Sequence, residues 1–500
     1  MLSSTKDKIR VWATIVTISL AGISLAGCDE LPDEQQSIVS PIQIHYLVQN
    51  PLVATTIEKS DVKDFYESKL SLLGFRDTNI EKSINDSIQK VYSEVKDGSL
   101  PPYRGIKKKI PDGSELTSNS ASAGLSYSYN NVASIVFYGY RNYITPDQNG
   151  VIPKTEEERA KNSQYVGLTR SLNYDLNTGR EITLKEVFTD DADYIKILND
   201  YIGNLIMSNP IEDEDSYGMA FSGAKLIAPF KGISENQAFY LIQGGIVLIL
   251  DENNPEFATE LYPATINIYF QDLGDCIAIT KRFYDEARSP FVSTEPLVKE
   301  FMQSSMGKEI AKESSSKVGH IMVFSSVRYP EQIPEAAKDK IGLLSEIDQN
   351  RINKLNADFV DQGQGDSNFE QYVWANKAGA YTNVQRNTSI YSEGKWESTT
   401  DTVCFDQDGR ELSLGDLFTS GYDYQKPIRK ALQDSIDQMP HLNNKIDLDV
   451  LMKHLQFFMG NAEINFYTDP VAADANSRYP ISGGVTFKDF GCENMTIFKD

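Results

Sequence analysis

Residues 173–194 read NYDLNTGREITLKEVFTDDADY, and residues 405–424 read FDQDGRELSLGDLFTSGYDY. Between residues 179–189 and 409–419, six of eleven positions are identical and four more are conservative. Two copies of one stretch, more than 200 residues apart, indicate a structural unit that the chain uses twice.

The first copy predicts a strand, a tight turn and a capped helix start. Gly179 supplies the residue that tolerates positive φ where the chain leaves a strand. Thr183 and Glu186 have the spacing of a capping box, and Ile182 and Val187 that of a hydrophobic staple. The second copy repeats this pattern with Gly409, Ser413, Asp416, Leu412 and Leu417.

The N-terminus is a predicted export signal with a lipid attachment site. Lys6, Lys8 and Arg10 precede an apolar run over residues 11–22. Residues 25–28, Leu-Ala-Gly-Cys, resemble the lipobox of bacterial lipoproteins, in which the cysteine is acylated and becomes the mature N-terminus. We therefore expect lipidation at Cys28 and an extracytoplasmic chain anchored to the bacterial cell membrane. The alternative is an uncleaved signal anchor, since the apolar run is nearly long enough to span a bilayer.

The composition and net charge argue against a nucleic-acid partner. The 500 residues are 40% hydrophobic, as in a globular protein, and carry a formal net charge of −23. Such a surface repels phosphate backbones, so we expect no nucleic-acid partner. It suits a cationic partner instead.

The residues that usually carry catalysis or bind metal show no recognisable pattern. The four histidines form no His-x-x-x-His pair, and no Cys-x-x-Cys, Gly-x-Ser-x-Gly or phosphate-binding glycine loop is present. We predict no cofactor, no metal and no catalytic residue. Cys276, Cys404 and Cys492 are interpreted as free thiols, with a Cys404–Cys492 bridge as the alternative.

Periodicity predicts α+β architecture in two tandem homologous domains, each a mainly antiparallel sheet packed with helices. Residues 74–95 have a helical apolar face that includes Ile84 and Ile88, and residues 98–120 have the composition of a loop. Residues 125–143 and 165–176 are strand-like. The predicted boundaries are a signal peptide at 1–28, a flexible tether at 29–40, a first domain at 41–279, a helical linker at 280–318 and a second domain at 319–500.

The repeated stretch resembles the extracytoplasmic module of RsiV-type anti-sigma factors and PdaC-type peptidoglycan deacetylases. That family has a "tyn.D..tGk.itL.dlF....dY" run after a helix with an "iN..i" signature, which matches Ile84-Asn85 and Ile352-Asn353 here. The resemblance covers most of residues 41–279 and 319–500. It implies a binding or sensing ectodomain, which in RsiV-type proteins engages lysozyme. The family often has a Gly-Gly-Ala-His-Gly stretch before the strand of the repeated stretch. This sequence is absent from both copies.

The candidate binding residues are aromatic. Tyr138 and Tyr140 alternate onto one face of a predicted strand, and Tyr127 and Tyr129 precede them. Exposed, these rings could stack on sugars or anchor a protein partner. The pattern favours the other interpretation, a sheet face covered by its helix. The same two interpretations apply to Trp374 and Trp396.

Three functions fit this sequence. The first is a non-catalytic lipid-anchored binding or sensing protein, whose ligand is cell-wall peptidoglycan or a cationic protein such as lysozyme. The second is an envelope hydrolase with carboxylates in a cleft between the domains, and the third is a passive structural lipoprotein. Tandem modules on one tether would raise avidity for a repeating ligand.

Overall fold

The computed structural model describes most of the chain from Tyr46 onward. The described residues are 46–62, 65–97, 110–208, 225–250, 254–258, 263–285, 287–302, 309–362, 367–392, 395–439, 446–468 and 481–499. The predicted signal peptide, Cys28 and the tether lie outside these ranges. Within them, no helix is both long enough and apolar enough to cross a membrane.

The first part of the chain forms a six-stranded sheet and a three-stranded sheet with helices. Its elements are β1 (Leu47–Val48), β2 (Val53–Val62), β3 (Phe65–Leu73), α1 (Thr78–Asp97), β4 (Glu115–Tyr129), β5 (Val132–Ile144), α2 (Glu156–Lys161), β6 (Ser163–Asp175), β7 (Arg180–Glu181), α3 (Tyr194–Ser208), β8 (Lys225–Leu226), β9 (Phe239–Ile242), β10 (Gly245–Leu250), β11 (Phe257–Ala258), β12 (Ala264–Tyr269), α4 (Phe270–Leu273), α5 (Ile279–Arg282) and β13 (Lys299–Glu300). We call β2 to α5 the first half.

The remaining elements form the second half. They are β14 (Glu309–Val318), β15 (Ile321–Pro330), α6 (Glu335–Ser345), α7 (Gln349–Gln362), β16 (Ser367–Ala378), β17 (Tyr381–Ser392), β18 (Lys395–Phe405), α8 (Gln425–Asp437), α9 (Leu448–Lys453), β19 (Leu455–Met459), β20 (Glu463–Thr468), β21 (Ile481–Thr486) and α10 (Phe487–Phe490). The prediction of α+β architecture with mainly antiparallel sheets is confirmed.

The two halves repeat one topology. The large sheets have the orders β2-β3-β4-β5-β6-β7 and β14-β15-β16-β17-β18. In each, one neighbouring pair is parallel, β3 with β4 and β15 with β16, and the others are antiparallel. A parallel pair needs a crossover, which α1 provides in the first half and α6 with α7 in the second. The small sheets, β12-β10-β9 and β19-β20-β21, are both antiparallel.

The helical prediction for residues 74–95 is confirmed by α1. Its apolar stripe buries Ile84, Ile88, Val91 and Val95 against the large sheet of the first half. Residues 98–120 were predicted to form a loop, but β4 already begins at Glu115. That first part of β4 is polar, so its sequence lacks the apolar alternation by which strands are recognised.

We call the strand end, tight turn and capped helix start of residues 173–194 and 405–424 the corner. Both copies have the predicted turn and capping box. Gly179 has φ +73° and Gly409 has φ +81°. The Glu186 carboxylate accepts from the Thr183 backbone N–H at 2.9 Å, and Asp416 accepts from Ser413 N–H at 2.8 Å. Each box caps one turn of 3-10 helix, Leu184–Val187 or Leu414–Leu417, whereas the longer helices α3 and α8 begin several residues later.

Each corner is bonded to the end of its own half. Thr189 N–H donates to the Cys276 carbonyl at 2.7 Å, and Thr419 N–H donates to the Asn494 carbonyl at 2.8 Å. The four-residue helices α4 and α10 precede these end segments, and each is followed by a glycine with positive φ. The correspondence between the halves therefore extends from sequence to individual backbone hydrogen bonds.

A tight turn that the sequence analysis missed divides residues 125–143 into β4 and β5. Asn130 and Asn131 form it, with φ values of 53° and 60°, as a two-residue hairpin loop requires. Both side chains are buried and bonded across the molecule. Asn130 Oδ1 accepts from Val48 N–H at 2.7 Å, and its Nδ2 donates to the Thr280 carbonyl at 2.6 Å. The turn thus holds both the N-terminal segment and the end of the first half.

The predicted helical linker at 280–318 is wrong. In its described part only α5 extends into it, β13 is a strand, and residues 309–318 form β14, which pairs with β15 along its whole length. Phe301 and Met302 are neighbours in an extended stretch of chain and enter two different cores. β14 is an exposed edge strand, so neither of its faces carries an apolar pattern. The second sheet therefore starts at Glu309, ahead of the predicted boundary at 319.

A two-stranded ribbon joins the halves, which with it form one compact unit. β1 and β13 pair antiparallel, with Leu47 opposite Glu300. Because side chains alternate along an extended chain, Leu47 and Met302 enter the core of the first half, while Tyr46 and Phe301 pack in that of the second. We use "ribbon" for β1 and β13 together with Tyr46, Phe301 and Met302. Each core therefore contains residues from both strands of the ribbon.

Candidate functional site

In each half, the small sheet covers only part of the large sheet's second face. In the first half, Leu241 N–H donates to Ser134 Oγ at 3.0 Å, and Asn173 Nδ2 donates to the Phe239 carbonyl at 2.8 Å. In the second half, Asn383 bonds the backbone of Met459 through both its amide atoms. These bonds fix where the small sheet crosses. Beyond them the face of the large sheet is open.

The open face of the first half consists of three tyrosines. Tyr138, Tyr140 and Tyr165 are 42%, 36% and 51% exposed. Tyr138 lies about 13 Å along β5 from Ser134, at roughly 3.3 Å per residue, which places it at the margin of the small sheet. The rings of Tyr140 and Tyr165 have centroids 6.1 Å apart, and Tyr138 lies two residues from Tyr140 on the same face of β5.

Small neighbours leave these rings uncovered. Tyr140 lies opposite Ser120 on one side and Gly167 on the other, and Tyr138 lies between Ser122 and Thr169. None of these four residues is large enough to cover an aromatic face. The Tyr138 hydroxyl is 3.4 Å from that of Tyr240, whose pKa is raised by burial and then by this hydrogen bond.

The other two predicted binding tyrosines are not on this surface. Tyr127 is 1% exposed within the core of the first half, and burial raises its pKa. Tyr129 is half-buried and donates to Glu300 Oε2 of the ribbon at 2.7 Å. A bulge in β4 between Leu125 and Tyr127 shifts the register, and this end of the sheet packs against the small sheet. Burial of Tyr127 in the core contradicts the prediction that it binds a ligand, whereas ligand binding by Tyr129 stays a prediction.

The second half has a groove of about 720 Å³ on the corresponding open face. Phe324, Tyr372 and Trp374 supply its aromatic wall, and Phe324 and Tyr372 have ring centroids 5.5 Å apart. Polar side chains from three strands complete it, and "the groove" hereafter means these aromatic residues with Glu313, Arg328 and Asn387. Its volume suits a ligand of a few sugar rings or a peptide segment.

Some of the polar groups of the groove already have hydrogen-bond partners. Arg328 donates to Glu313 Oε1 at 2.6 Å, which raises the pKa of Arg328. Burial, followed by the nearby Glu370 carboxylate, raises the pKa of Tyr372. Asn387 Oδ1 is buried and has no hydrogen-bond partner within the described ranges. Buried acceptors are nearly always paired, so this oxygen is available to a ligand donor at the floor of the groove.

Trp374 and Trp396 have different surroundings. Trp374 lines the groove. Trp396 lies on β18 and packs against Tyr391 with ring centroids 5.2 Å apart. Sequence reasoning named both tryptophans but missed Phe324, Tyr372 and Tyr165. The signal that would have found them is the period-two alternation of β15, β16 and β6, which places these residues on the face opposite the helices.

The described residues contain no group of three or more His, Cys, Asp and Glu side chains arranged to hold a metal ion. Cys276, Cys404 and Cys492 are free, which removes the alternative of a Cys404–Cys492 bridge. Burial raises the pKa of the Cys404 thiol to about 12. What the open faces offer is surface for stacking and hydrogen bonding.

No protein-family model matches the sequence, and no curated protein matches it. Among solved structures, a DUF3298 family member from Bacteroides fragilis is similar over 48% of this chain and 100% of its own, with 16% identity and a TM-score of 0.28. A DUF3298 family protein from Pseudomonas aeruginosa is similar over 38% of this chain and 92% of its own, with 13% identity and a TM-score of 0.23. Likenesses this distant carry no argument about function.

Proposed function

We propose that this protein is a non-catalytic binding lipoprotein, anchored outside the bacterial cell membrane through a lipid on Cys28. Its ligand is proposed to be cell-wall glycan, held on the open faces of the two large sheets. The resemblance of the repeated corner to RsiV-type and PdaC-type modules supports an extracytoplasmic binding role. The groove of the second half would be the principal site.

One observation carries this proposal: an aromatic wall and an unpartnered buried acceptor meet in a single groove. Sugar rings present apolar C–H faces, which aromatic side chains can cover, and hydroxyls and amides at their edges. Phe324, Tyr372 and Trp374 supply the first kind of contact, and Asn387 Oδ1 supplies an acceptor for the second. Ligand sites are typically built in this way, mostly apolar with a few placed polar groups.

The repetition of the fold supports a ligand that itself repeats. The tyrosines of the first half and the groove of the second lie on the corresponding face of the large sheet, but the tyrosines are on β5 and β6 and the groove spans β14 to β17. Two weak sites on one chain bind a polymer more tightly than either site alone, provided that both can be reached at once. A glycan strand is such a polymer.

Tryptophan fluorescence tests the glycan proposal directly. Of the three tryptophans only Trp374 and Trp396 remain in residues 29–500, so a Trp396→Phe variant makes Trp374 the sole reporter. We expect soluble peptidoglycan fragments to change its emission saturably, and a further Tyr372→Ala substitution to weaken binding at least about tenfold. Unchanged affinity in Tyr372→Ala and Trp374→Ala variants, measured by sedimentation with insoluble cell wall, would sink the proposal.

A cationic protein such as lysozyme is the second candidate ligand, favoured by the net charge of −23. Attraction of this kind is screened by salt, whereas stacking on sugars is not. Pull-down of residues 29–500 on lysozyme and on peptidoglycan over a salt series separates the two. Retention on lysozyme that salt abolishes, without retention on peptidoglycan, would select this candidate.

The lipid anchor has its own test. We expect the full chain to fractionate with membranes and to take up radiolabelled fatty acid, and a Cys28→Ala variant to do neither. A matched Cys276→Ala variant should behave as the wild type, since Cys276 lies in the folded part of the chain. A Cys28→Ala variant that still incorporates fatty acid would overturn the assignment.

A further inference from the structure

A buried turn in the first half contains two side-chain oxygens that have no hydrogen-bond partner in the described part of the chain. Residues 254–256, Asn-Pro-Glu, precede β11, and Phe257 N–H closes the turn on the Asn254 carbonyl at 3.1 Å. Asn254 is 0% exposed and Glu256 is 2% exposed. Among the residues that the structure describes, none is hydrogen-bonded to Asn254 Oδ1 or to Glu256 Oε2.

The other atom of each group is bonded to the same short stretch of backbone. Lys231 N–H donates to Glu256 Oε1 at 3.1 Å, and Asn254 Nδ2 donates to the Gly232 carbonyl at 3.3 Å. Because Lys231 and Gly232 are consecutive, the carboxylate and the amide both bond to the same short segment of backbone.

An ionised carboxylate and an amide oxygen are both acceptors, so neither satisfies the other and each needs a donor or a positive charge. A buried carboxylate with one hydrogen bond is costly unless its charge is compensated. Carboxylate, side-chain amide and backbone carbonyl oxygens are the ligands that a hard divalent cation prefers, and calcium tolerates irregular arrangements of them.

We propose that Asn254 and Glu256 form a divalent-cation site of the calcium class, completed by backbone carbonyls and water. One carboxylate gives a weak site, with a Kd of about 10⁻⁴ to 10⁻³ M, the range of extracellular calcium modules. The proposal does not depend on the glycan function, because the groove lies in the other half of the protein.

The cation would brace one side of the first half. The Glu256 carbonyl accepts from Ile227 N–H at 2.7 Å, and the Phe230 and Phe257 rings contact edge to face at 5.9 Å. β8 and β11 pair here over two residues each. A ligand at Asn254 and Glu256 would therefore clamp the segment from β8 to Ile233 onto β11, and its binding should appear as added thermal stability.

The test uses residues 29–500 freed of metal with a chelator. We expect about 10 mM CaCl₂ to raise the Tm by about 2 °C or more, and terbium to bind with luminescence that calcium displaces. A Glu256→Gln variant should lose the calcium response while folding at least as well as the wild type in chelator, since it removes the uncompensated charge. A Glu235→Gln variant, which alters an exposed glutamate of the neighbouring segment, should respond as the wild type does.

An unchanged Tm and no displaceable terbium in the wild type would overturn the proposal. So would a calcium response of equal size in Glu256→Gln, since the cation would then bind elsewhere on the acidic surface. If Glu256→Gln does not fold, Asn254→Ala and terbium binding by the wild type decide the matter, with at least a tenfold loss of terbium affinity expected in Asn254→Ala.

Discussion

Tyr46 and Phe498, from opposite ends of the described chain, contact edge to face with ring centroids 5.6 Å apart. Lys299 lies over the Tyr46 ring at 4.5 Å and donates to the Phe498 carbonyl at 3.4 Å. The first and last residues of the fold thus meet on the ribbon. The second half is complete only when the N-terminal segment is in place.

Phe301 is the residue at which the ribbon can be tested most directly. Its ring is fully buried and contacts Tyr381, Phe487 and Phe498 at 5.5 Å each. We expect Phe301→Ala to lower the free energy of unfolding by about 3–5 kcal/mol, and Phe301→Leu to have a smaller effect. The fluorescence of Trp374 and Trp396 reports the second half, and circular dichroism reports both. A shift of the fluorescence midpoint alone would show that the halves do not unfold together.

Gly379 should tolerate no side chain. It has φ +57° in the turn between β16 and β17, and an added Cβ would lie 2.5 Å from Phe301 Cδ1. Gly150 is the matched control, since its φ is +77° and no atom lies within 4 Å of the position of its Cβ. We expect Gly379→Ala to lower stability by about 1–3 kcal/mol more than Gly150→Ala, because only the first adds overpacking to backbone strain. Denaturant titration measures both, and equal losses would contradict the packing argument.

The capping box predicts a defined pH dependence. Hydrogen bonds from the Arg180 guanidinium, and then from Thr183, lower the pKa of Glu186 to about 2. Because the folded-state pKa lies below the ordinary value of about 4.3, the ionised carboxylate stabilises the fold above that value, and this contribution is lost as the pH falls towards 2. We expect Glu186→Gln to cost about 1 kcal/mol near pH 7 and nothing at about pH 2.

Thermal unfolding over a pH series measures this difference. Glu181→Gln serves as the control, because Glu181 is an exposed carboxylate in the same corner outside the capping box. Its stability should follow that of the wild type at every pH. A Glu186→Gln deficit that persists undiminished in acid would point to a packing effect in place of the charge.

The three cysteines of residues 29–500 should react in a fixed order. Burial raises the pKa of each thiol, to about 12 for Cys404, and Cys276 is the most exposed of them. At about pH 8 we expect a chromogenic disulfide reagent to label Cys276 first and the buried Cys404 and Cys492 only on unfolding. Peptide mapping identifies the labelled sites. Rapid labelling of Cys404 in the native protein would contradict its burial.

The corner could be predicted because the residues that form it lie within a few positions of one another in the sequence. A glycine with positive φ, a hydroxyl and a carboxylate three residues on determine one another within a few residues. Helix α1 could also be predicted, because its apolar residues recur with the period of a helix. The capping box did not reveal how short its helix is, because the length of a helix depends on packing that the box does not encode.

The ribbon could not be predicted, because its residues are specified by partners far away in sequence. β13 has two residues, and its strand partner lies about 250 positions earlier. Asn130 and Asn131 carry a recognisable turn signal, but flanking β-branched and aromatic residues masked it. Likewise, Asn85 bonds Leu72 through both amide atoms, whereas Asn353 contacts Gln349 instead. The shared signature thus survives in sequence where the contact does not.

The open aromatic face was predicted in part for a similar reason. Alternation along β5 correctly grouped Tyr138 with Tyr140, but it could not show where the small sheet ends. Tyr127 belongs to the covered end and Tyr165 to the open end, a distinction set by how two sheets overlap. The groove depends on β14, β15, β16 and β17 together. No single segment of sequence contains it.

The ribbon determines where the protein can be dissected. A fragment ending at residue 279 would keep Leu47 but lose Met302, and one starting at 319 would lack Phe301, Tyr46 and the whole outer strand of its sheet. Each fragment would expose apolar surface that the missing residues normally cover, together with an unpaired strand edge. Both features drive aggregation. The two halves therefore share one topology, but each depends on the ribbon to complete its core.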